Sequence, residues 1–184
     1  MSKKKDIERV IHLISWWLFK IKLNNCIDLF DINKIAEDLA AMLLNEIYNY
    51  NLINLNYQKH HHSAIDLGDK KNGIAFQVTS RTDADKIKKN LKTFVEKYKK
   101  DYPNGIRFFL LSIEGAKIKR LKNQKGLKRI APHFDPHEHI LSEKEIIRGI
   151  ERLYTGDRER FNKVKQILEE EIAGKAMKAY NRRG

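Results

Sequence analysis

The stretch that most constrains the fold runs from Ala64 to Ser80, A-I-D-L-G-D-K-K-N-G-I-A-F-Q-V-T-S. Ile65 and Leu67 alternate with Asp66 and Gly68, and Ile74, Phe76 and Val78 alternate with Ala75, Gln77 and Thr79. A period of two marks a strand with one buried face, and Asn72-Gly73 is a tight-turn signal, so the segment is predicted to be a β-hairpin. The alternation sends the aliphatic residues to one face and leaves Asp66, Gln77 and Thr79 on the other, over a floor of Ala64, Gly68 and Ala75. A carboxylate, an amide and a hydroxyl over small residues suit a divalent cation and a phosphate, because hard cations take oxygen ligands. An amphipathic hairpin with a solvated polar face and no chemistry has the same pattern.

What surrounds this hairpin must supply its cover. Asp6 to Leu23 sets Ile7, Val10, Ile11, Ile14, Trp17, Leu18 and Ile21 on one helical stripe, which Leu13, Trp16 and Phe19 widen. The expectation is burial on two sides, with contact to another chain through Trp16 and Trp17 as the alternative. A second helix is expected from Asp31 as N-cap to about Tyr48, with Ile35, Leu39, Met42, Leu43 and Ile47 inward. Glu37 shares a face with Ala40, Ala41 and Leu44, and Glu46 follows Ile35, Leu39 and Met42 on another apolar line. A carboxylate on an apolar face needs a metal or a base as partner unless it reaches solvent at the edge, so both are site candidates.

Asn51 to Tyr57 reads as the first strand of the sheet. It leads into Lys59-His60-His61-His62-Ser63, a polar connection beside the site in which His62 is a secondary metal candidate. After the hairpin, Thr82 and Asp85 are expected to cap a helix to about Lys99, with Ile87, Leu91, Phe94, Val95 and Tyr98 inward. Its other side carries Lys86, Lys88, Lys89, Lys92 and Lys97, either a solvated face or a track for a nucleic-acid backbone. Ile106 to Ile113 is apolar on both faces, as in a central strand covered by helices, and the helix before it implies a right-handed crossover and parallel pairing.

Lysine and arginine number 37 against 24 acids, a net charge of +13, so a polyanion is the first partner to consider. The densest segment, Lys117 to Arg129, holds Lys117, Lys119, Arg120, Lys122, Lys125, Lys128 and Arg129 with no acid. A loop or short irregular helix is expected there, its cations meeting phosphates without reading sequence. Pro132 to His139 is rich in histidine and acid but reads as a loop before a strand. Ser142 with Glu145 forms a capping box for a helix bearing Ile146, Ile147, Ile150 and Leu153. Asp157 caps the last helix, with Phe161, Val164, Leu168 and Ile172 inward and a basic tail beyond Gly174. One cysteine, Cys26, and a start without the layout of a secretory signal make the cytoplasm the expected compartment. The apolar run Val10 to Phe19 is too short to cross a bilayer.

The blocks I-A-E-D-L-A-A-M-L-L-N (35 to 45), N-L-I-N-L-N (51 to 56), A-I-D-L-G-D (64 to 69) and I-A-F-Q-V-T-S (74 to 80) together resemble the SMEK domain. The similarity covers about residues 6 to 172, and the family is similar to the PD-(D/E)XK, or restriction-endonuclease-like, superfamily. That resemblance implies an α/β fold: a central mixed sheet of about four to five strands flanked by helices, with an N-terminal helical extension. The expected organisation is a helix over 1–30 packed on the core or on a partner, a nuclease-like core over 31–155, and a C-terminal helix and basic tail over 156–184. All three belong to one structural domain.

The resemblance also implies a Mg2+- or Mn2+-dependent endonuclease acting on nucleic acid, DNA in preference to RNA, within a prokaryotic defence or conflict system. A homodimer or larger defence complex through the Trp16 and Trp17 helix is the alternative to burial of that helix. In this sequence Asp66, the Gln77 side-chain oxygen and the Val78 carbonyl would hold the metal, and Glu37 a second metal or a metal-bound water. Gln77 replaces the usual acid, and Thr79 stands where most superfamily members have lysine. Lys86 or Lys89 from the following helix would supply the ammonium. The alternative is a nuclease-like domain without catalysis that binds nucleic acid or another protein.

Overall fold

Asp69, Asn72 and Gly73 close the expected hairpin. In the computed structural model, which describes residues 3–25, 32–57 and 63–174, β2 (Leu67–Asp69) pairs antiparallel with β3 (Ile74–Thr79), Leu67 lying opposite Phe76. The Asp69 carboxylate accepts from Asn72 N–H at 2.9 Å, Asn72 Nδ2 at 2.6 Å and Asn51 N–H at 2.6 Å. Gly73 takes φ +62°, which a side chain would resist. Asp31, Cys26, His60 to His62 and the tail beyond Gly174 lie outside the described residues.

Three further strands extend the sheet: β1 (Ile53–Asn54), β4 (Ile106–Leu110) and β5 (Ile140–Leu141). The order is β1-β2-β3-β4-β5, antiparallel from β1 to β3 and parallel from β3 to β5, an open mixed sheet of five strands. The first strand is shorter than expected. Asn54 Oδ1 accepts the Asn56 N–H at 3.0 Å, a local turn that competes with the ladder, and Leu55–Tyr57 becomes a 3-10 turn.

Helices cover both faces. On one side α1 (Lys3–Asn25), α2 (Ile32–Tyr48), α7 (Glu143–Gly156) and α8 (Arg158–Leu168) pack over Leu67, Phe76, Val78, Phe109 and Leu141. On the other, α3 (Ala84–Lys97), α4 (Gly115–Lys122) and α5 (Gly126–Ile130) pack over Ala75, Ile106, Phe108 and Ile140. The short α6 (Pro136–His139) leads into β5. The crossover through α3 and the parallel β3–β4 pairing are as expected.

Several expectations need correction. Ile65 joins the α3-side core while Leu67 joins the opposite one, because regular alternation begins only at Leu67. The small residues do not form an open floor: a Cβ on Gly68 would run into the Tyr102 hydroxyl, so Gly68 is small because Tyr102 lies on it. On α2 the buried line is Ala36, Leu39, Ala40, Leu43, Leu44 and Ile47, leaving Ile35 and Met42 exposed. The wide stripe of α1 is buried on one side only, with Trp16 47% and Phe19 43% exposed.

At the start of α3 the cap is Asp83, whose carboxylate accepts from Lys86 N–H, and not Thr82. The basic segment forms α4 and α5 because Ile118, Leu121 and Leu127 are anchored in the core. Ser142 and Glu145 make the expected capping box, and Asp157 the expected cap. No helix of the described residues is long and apolar enough to cross a membrane.

Candidate active site

Asp66 lies one residue ahead of β2 with both main-chain groups committed. Its N–H donates to the Phe76 carbonyl and its carbonyl accepts from Leu55 N–H, each at 2.8 Å. Two residues earlier Ala64 holds φ +81°, rare for any side chain but glycine, so the chain enters the site under local strain. The Asp66 side chain is thereby set across β3: Oδ2 accepts from Val78 N–H at 2.8 Å and from Gln77 Nε2 at 2.5 Å.

Oδ1 of Asp66 meets Asn56 Nδ2 at 3.4 Å, and the same nitrogen donates to Glu37 Oε2 at 2.9 Å. One carboxamide therefore joins two carboxylates from different elements. Asn54 Nδ2 donates to Glu37 Oε2 at 3.2 Å and to Asp38 Oδ1 at 2.9 Å, and the Tyr57 hydroxyl donates to Asp38 Oδ2 at 2.5 Å. The 3-10 turn that shortens β1 is what turns Asn56 inward.

Asp66 is 7% exposed and Glu37 8%. Burial, and then the Glu37 carboxylate beside it, push the Asp66 carboxyl up to about 7, against the Val78 N–H, the Asn56 amide and the Lys86 ammonium. On the α3 side, buried Thr79 accepts through Oγ1 from Arg81 N–H at 3.1 Å and from Lys86 Nζ at 3.3 Å. Burial first, and Arg81 second, lower the pKa of half-buried Lys86, against Asp66 and Asp83. Asn90, one turn beyond Lys86, donates Nδ2 to Gln77 Oε1 at 3.1 Å.

The structure thus brings Glu37, Asp66, Gln77, Thr79 and Lys86 together. Gln77 stands the other way round from the expectation: its Nε2 donates to Asp66 Oδ2 and its Oε1 accepts from Asn90 Nδ2. Val78 sends its N–H toward Asp66, whereas the Thr79 carbonyl accepts Leu111 N–H from the β4 side. Successive carbonyls of a strand point opposite ways, so that of Val78 is directed to the Asp66 side.

These residues fit a divalent cation. Two buried carboxylates share the Asn56 amide as donor, and the remaining groups at the site include amide and backbone oxygens, the set hard cations prefer. Among the described residues no three His, Cys, Asp or Glu side chains converge, so amide and backbone oxygens would complete any coordination shell.

Glu46 lies elsewhere. It faces α8, where its carboxylate is 3.8 Å from Arg160 Nε and its carbonyl accepts from Arg160 Nη2. Of the basic candidates, Lys89, Lys119, Arg120, Lys125 and Arg129 are exposed. Lys117 is paired with Glu114 at 3.0 Å and Lys128 with Asp135 at 3.0 Å, both still at the surface. Lys122 is different: it is largely buried and held by Glu145 at 2.8 Å, a structural pair with little freedom to meet a phosphate. Sequence reasoning missed Asn54, Asn56 and Asn90 as site residues. The signals were the alternating asparagines of N-L-I-N-L-N and the placement of Asn90 four residues after Lys86.

The SMEK domain model matches residues 9–151. The chain belongs to the SMEK domain family. The match contains every site residue named above, from Glu37 to Asn90, together with the whole sheet, while α8 lies beyond it. No curated protein and no solved structure matches this SMEK domain.

Proposed function

We propose that this SMEK domain is a restriction-endonuclease-like, metal-dependent nuclease that hydrolyses phosphodiester bonds, with DNA as its substrate. The observation that carries the reading is the meeting of Asp66 and Glu37 at one amide, with Lys86 on the Thr79 hydroxyl beside them. Asp66, the Val78 carbonyl, Gln77 through its side-chain oxygen and Glu37 would hold Mg2+ or Mn2+. Bound there, such an ion lowers the pKa of a coordinated water and neutralises charge on the phosphate. Thr79 leaves the usual lysine position without an ammonium, and Lys86 supplies one from the first turns of α3. Its Nζ contributes positive charge to a phosphate oxygen, and its half-burial makes its proton easier to release.

Exposed Lys89 on α3 and Lys119, Arg120, Lys125 and Arg129 on α4 and α5 offer phosphate contacts on the same side of the sheet. Membership in a prokaryotic defence or conflict system is carried by the family resemblance. Trp16, Phe19 and Leu23, exposed together on α1, support a contact with another chain.

Plasmid DNA incubated with Mg2+ or Mn2+ tests the proposal. Wild type should cleave, and Asp66→Ala and Glu37→Ala should each lose about 10²-fold or more in rate, as expected for a metal-site ligand. A second reading, a nucleic-acid-binding module without catalysis, is favoured by the Gln77 amide turned with its NH2 to Asp66. It requires salt-sensitive DNA binding with no metal dependence, no cleavage by wild type, and no effect of Asp66→Ala.

A further inference from the structure

We propose that Asn90 sets the cation affinity of the site by fixing which end of the Gln77 amide faces Asp66. The inference rests on the nuclease reading and concerns a residue that touches neither cation nor phosphate. Asp66 Oδ2 accepts from Gln77 Nε2 at 2.5 Å. The other end of that amide, Oε1, is then left to a donor, and Asn90 Nδ2 supplies it at 3.1 Å. Three side chains in a row are thus satisfied by one choice of orientation.

A cation beside Asp66 demands the reverse, because an NH2 group has no lone pair to offer it. Gln77 must then turn Oε1 inward and Nε2 outward. In that state Nε2 meets Asn90 Nδ2, donor against donor, in a half-buried space where an unmade hydrogen bond is costly. The conflict is relieved only when Asn90 turns as well and presents Oδ1. Ile87 and Leu91, on either side of Asn90, are buried in the core and fix the backbone of this stretch of α3. Cation entry is therefore coupled to a paired rotation of two carboxamides, and Asn90 is a positioning residue acting through Gln77.

Replacing Asn90 by a residue that only accepts removes the penalty. In Asn90→Asp the carboxylate holds Gln77 Nε2 outward and leaves Oε1 directed at Asp66 before the cation arrives. Calorimetric titration of the full chain with Mn2+ should show binding tightened about tenfold, the scale of one hydrogen bond to a charged group. Thr93→Asp, which adds the same charge one turn further along α3, should change affinity less than about twofold if distance and solvent screen it.

Titrating the wild type with Mg2+ gives a readout that no substitution can disturb. The side-chain amide resonances of Gln77 and Asn90 should shift together and saturate at one concentration. Equal or weaker Mn2+ binding by Asn90→Asp, equal tightening by Thr93→Asp, or movement of Gln77 without Asn90 each overturns the role of Asn90 and leaves the nuclease reading in place. Absence of Mn2+ binding in wild type and all variants defeats both.

Discussion

Lys86 Nζ rests 3.3 Å from the Thr79 hydroxyl, joining the first turns of α3 to the last residue of β3. On the proposed nuclease reading, the contact puts an ammonium beside Thr79, where that reading calls for a lysine. Lys86→Ala is therefore expected to lower the cleavage rate about 10²-fold, the usual scale for loss of a positioned charge at a reacting group. DNA binding should change little. Lys89→Ala, an exposed cation three residues on, should weaken binding and reduce its salt dependence without a comparable loss of turnover. Equal losses of rate in the two variants would remove Lys86 from the chemistry.

Gly149 of α7 has no room for a side chain, because a Cβ there would collide with Ile47 Cγ2 of α2. Gly149→Ala should destabilise the fold by about 1–3 kcal/mol, the range for overpacking, despite the roughly 1 kcal/mol that alanine gains in helix propensity. At this chain length that is a fall of about 2–4 °C in Tm per kcal/mol. Gly156→Ala, where nothing lies within 4 Å of the added carbon, is the control and should be neutral or stabilising. A thermal melt that ranks the two variants the other way contradicts the close approach of Ile47 of α2 to Gly149 of α7.

Glu145 couples the α7 capping box to Lys122. Burial acts to raise its pKa, but the Lys122 ammonium and the Ser142 hydroxyl and N–H outweigh it and hold the carboxyl below its ordinary 4.5. A folded-state pKa below the unfolded value stabilises the protein above the unfolded value. That stability is lost as pH falls through the folded one. Glu145→Gln keeps the capping geometry and deletes the charge, so its Tm should lie below wild type at pH 7 and the gap should close as pH drops below 4.5. A gap that stays constant across that range would show that the charge contributes nothing to stability.

The hairpin was readable because its signal is local. Alternation and the Asn72-Gly73 turn depend on side-chain period and on φ, and neither needs a partner. The Ser142 and Asp157 caps were readable for the same reason, since a cap bonds within three residues of itself. Thr82 was a miss of one residue, because Asp83 competes for the same N–H groups and wins them. Glu46 misled because its apolar line on α2 is real, yet Arg160, over a hundred residues away, is what satisfies it.

The amino-acid order by itself determined the two-period strands, the helical stripes, the parallel crossover and the placing of Asp66 beside Gln77, all of which follow from backbone geometry over a few residues. Only the tertiary structure decided that Glu37 and Asp66 share Asn56, that Lys86 reaches Thr79, and which way the Gln77 amide turns. Those contacts join α2, the 3-10 turn after β1, the residue ahead of β2, β3 and α3. Their hydrogen bonds exist only once the sheet and its two helical layers have brought donors and acceptors from distant segments within bonding range in a space largely closed to water.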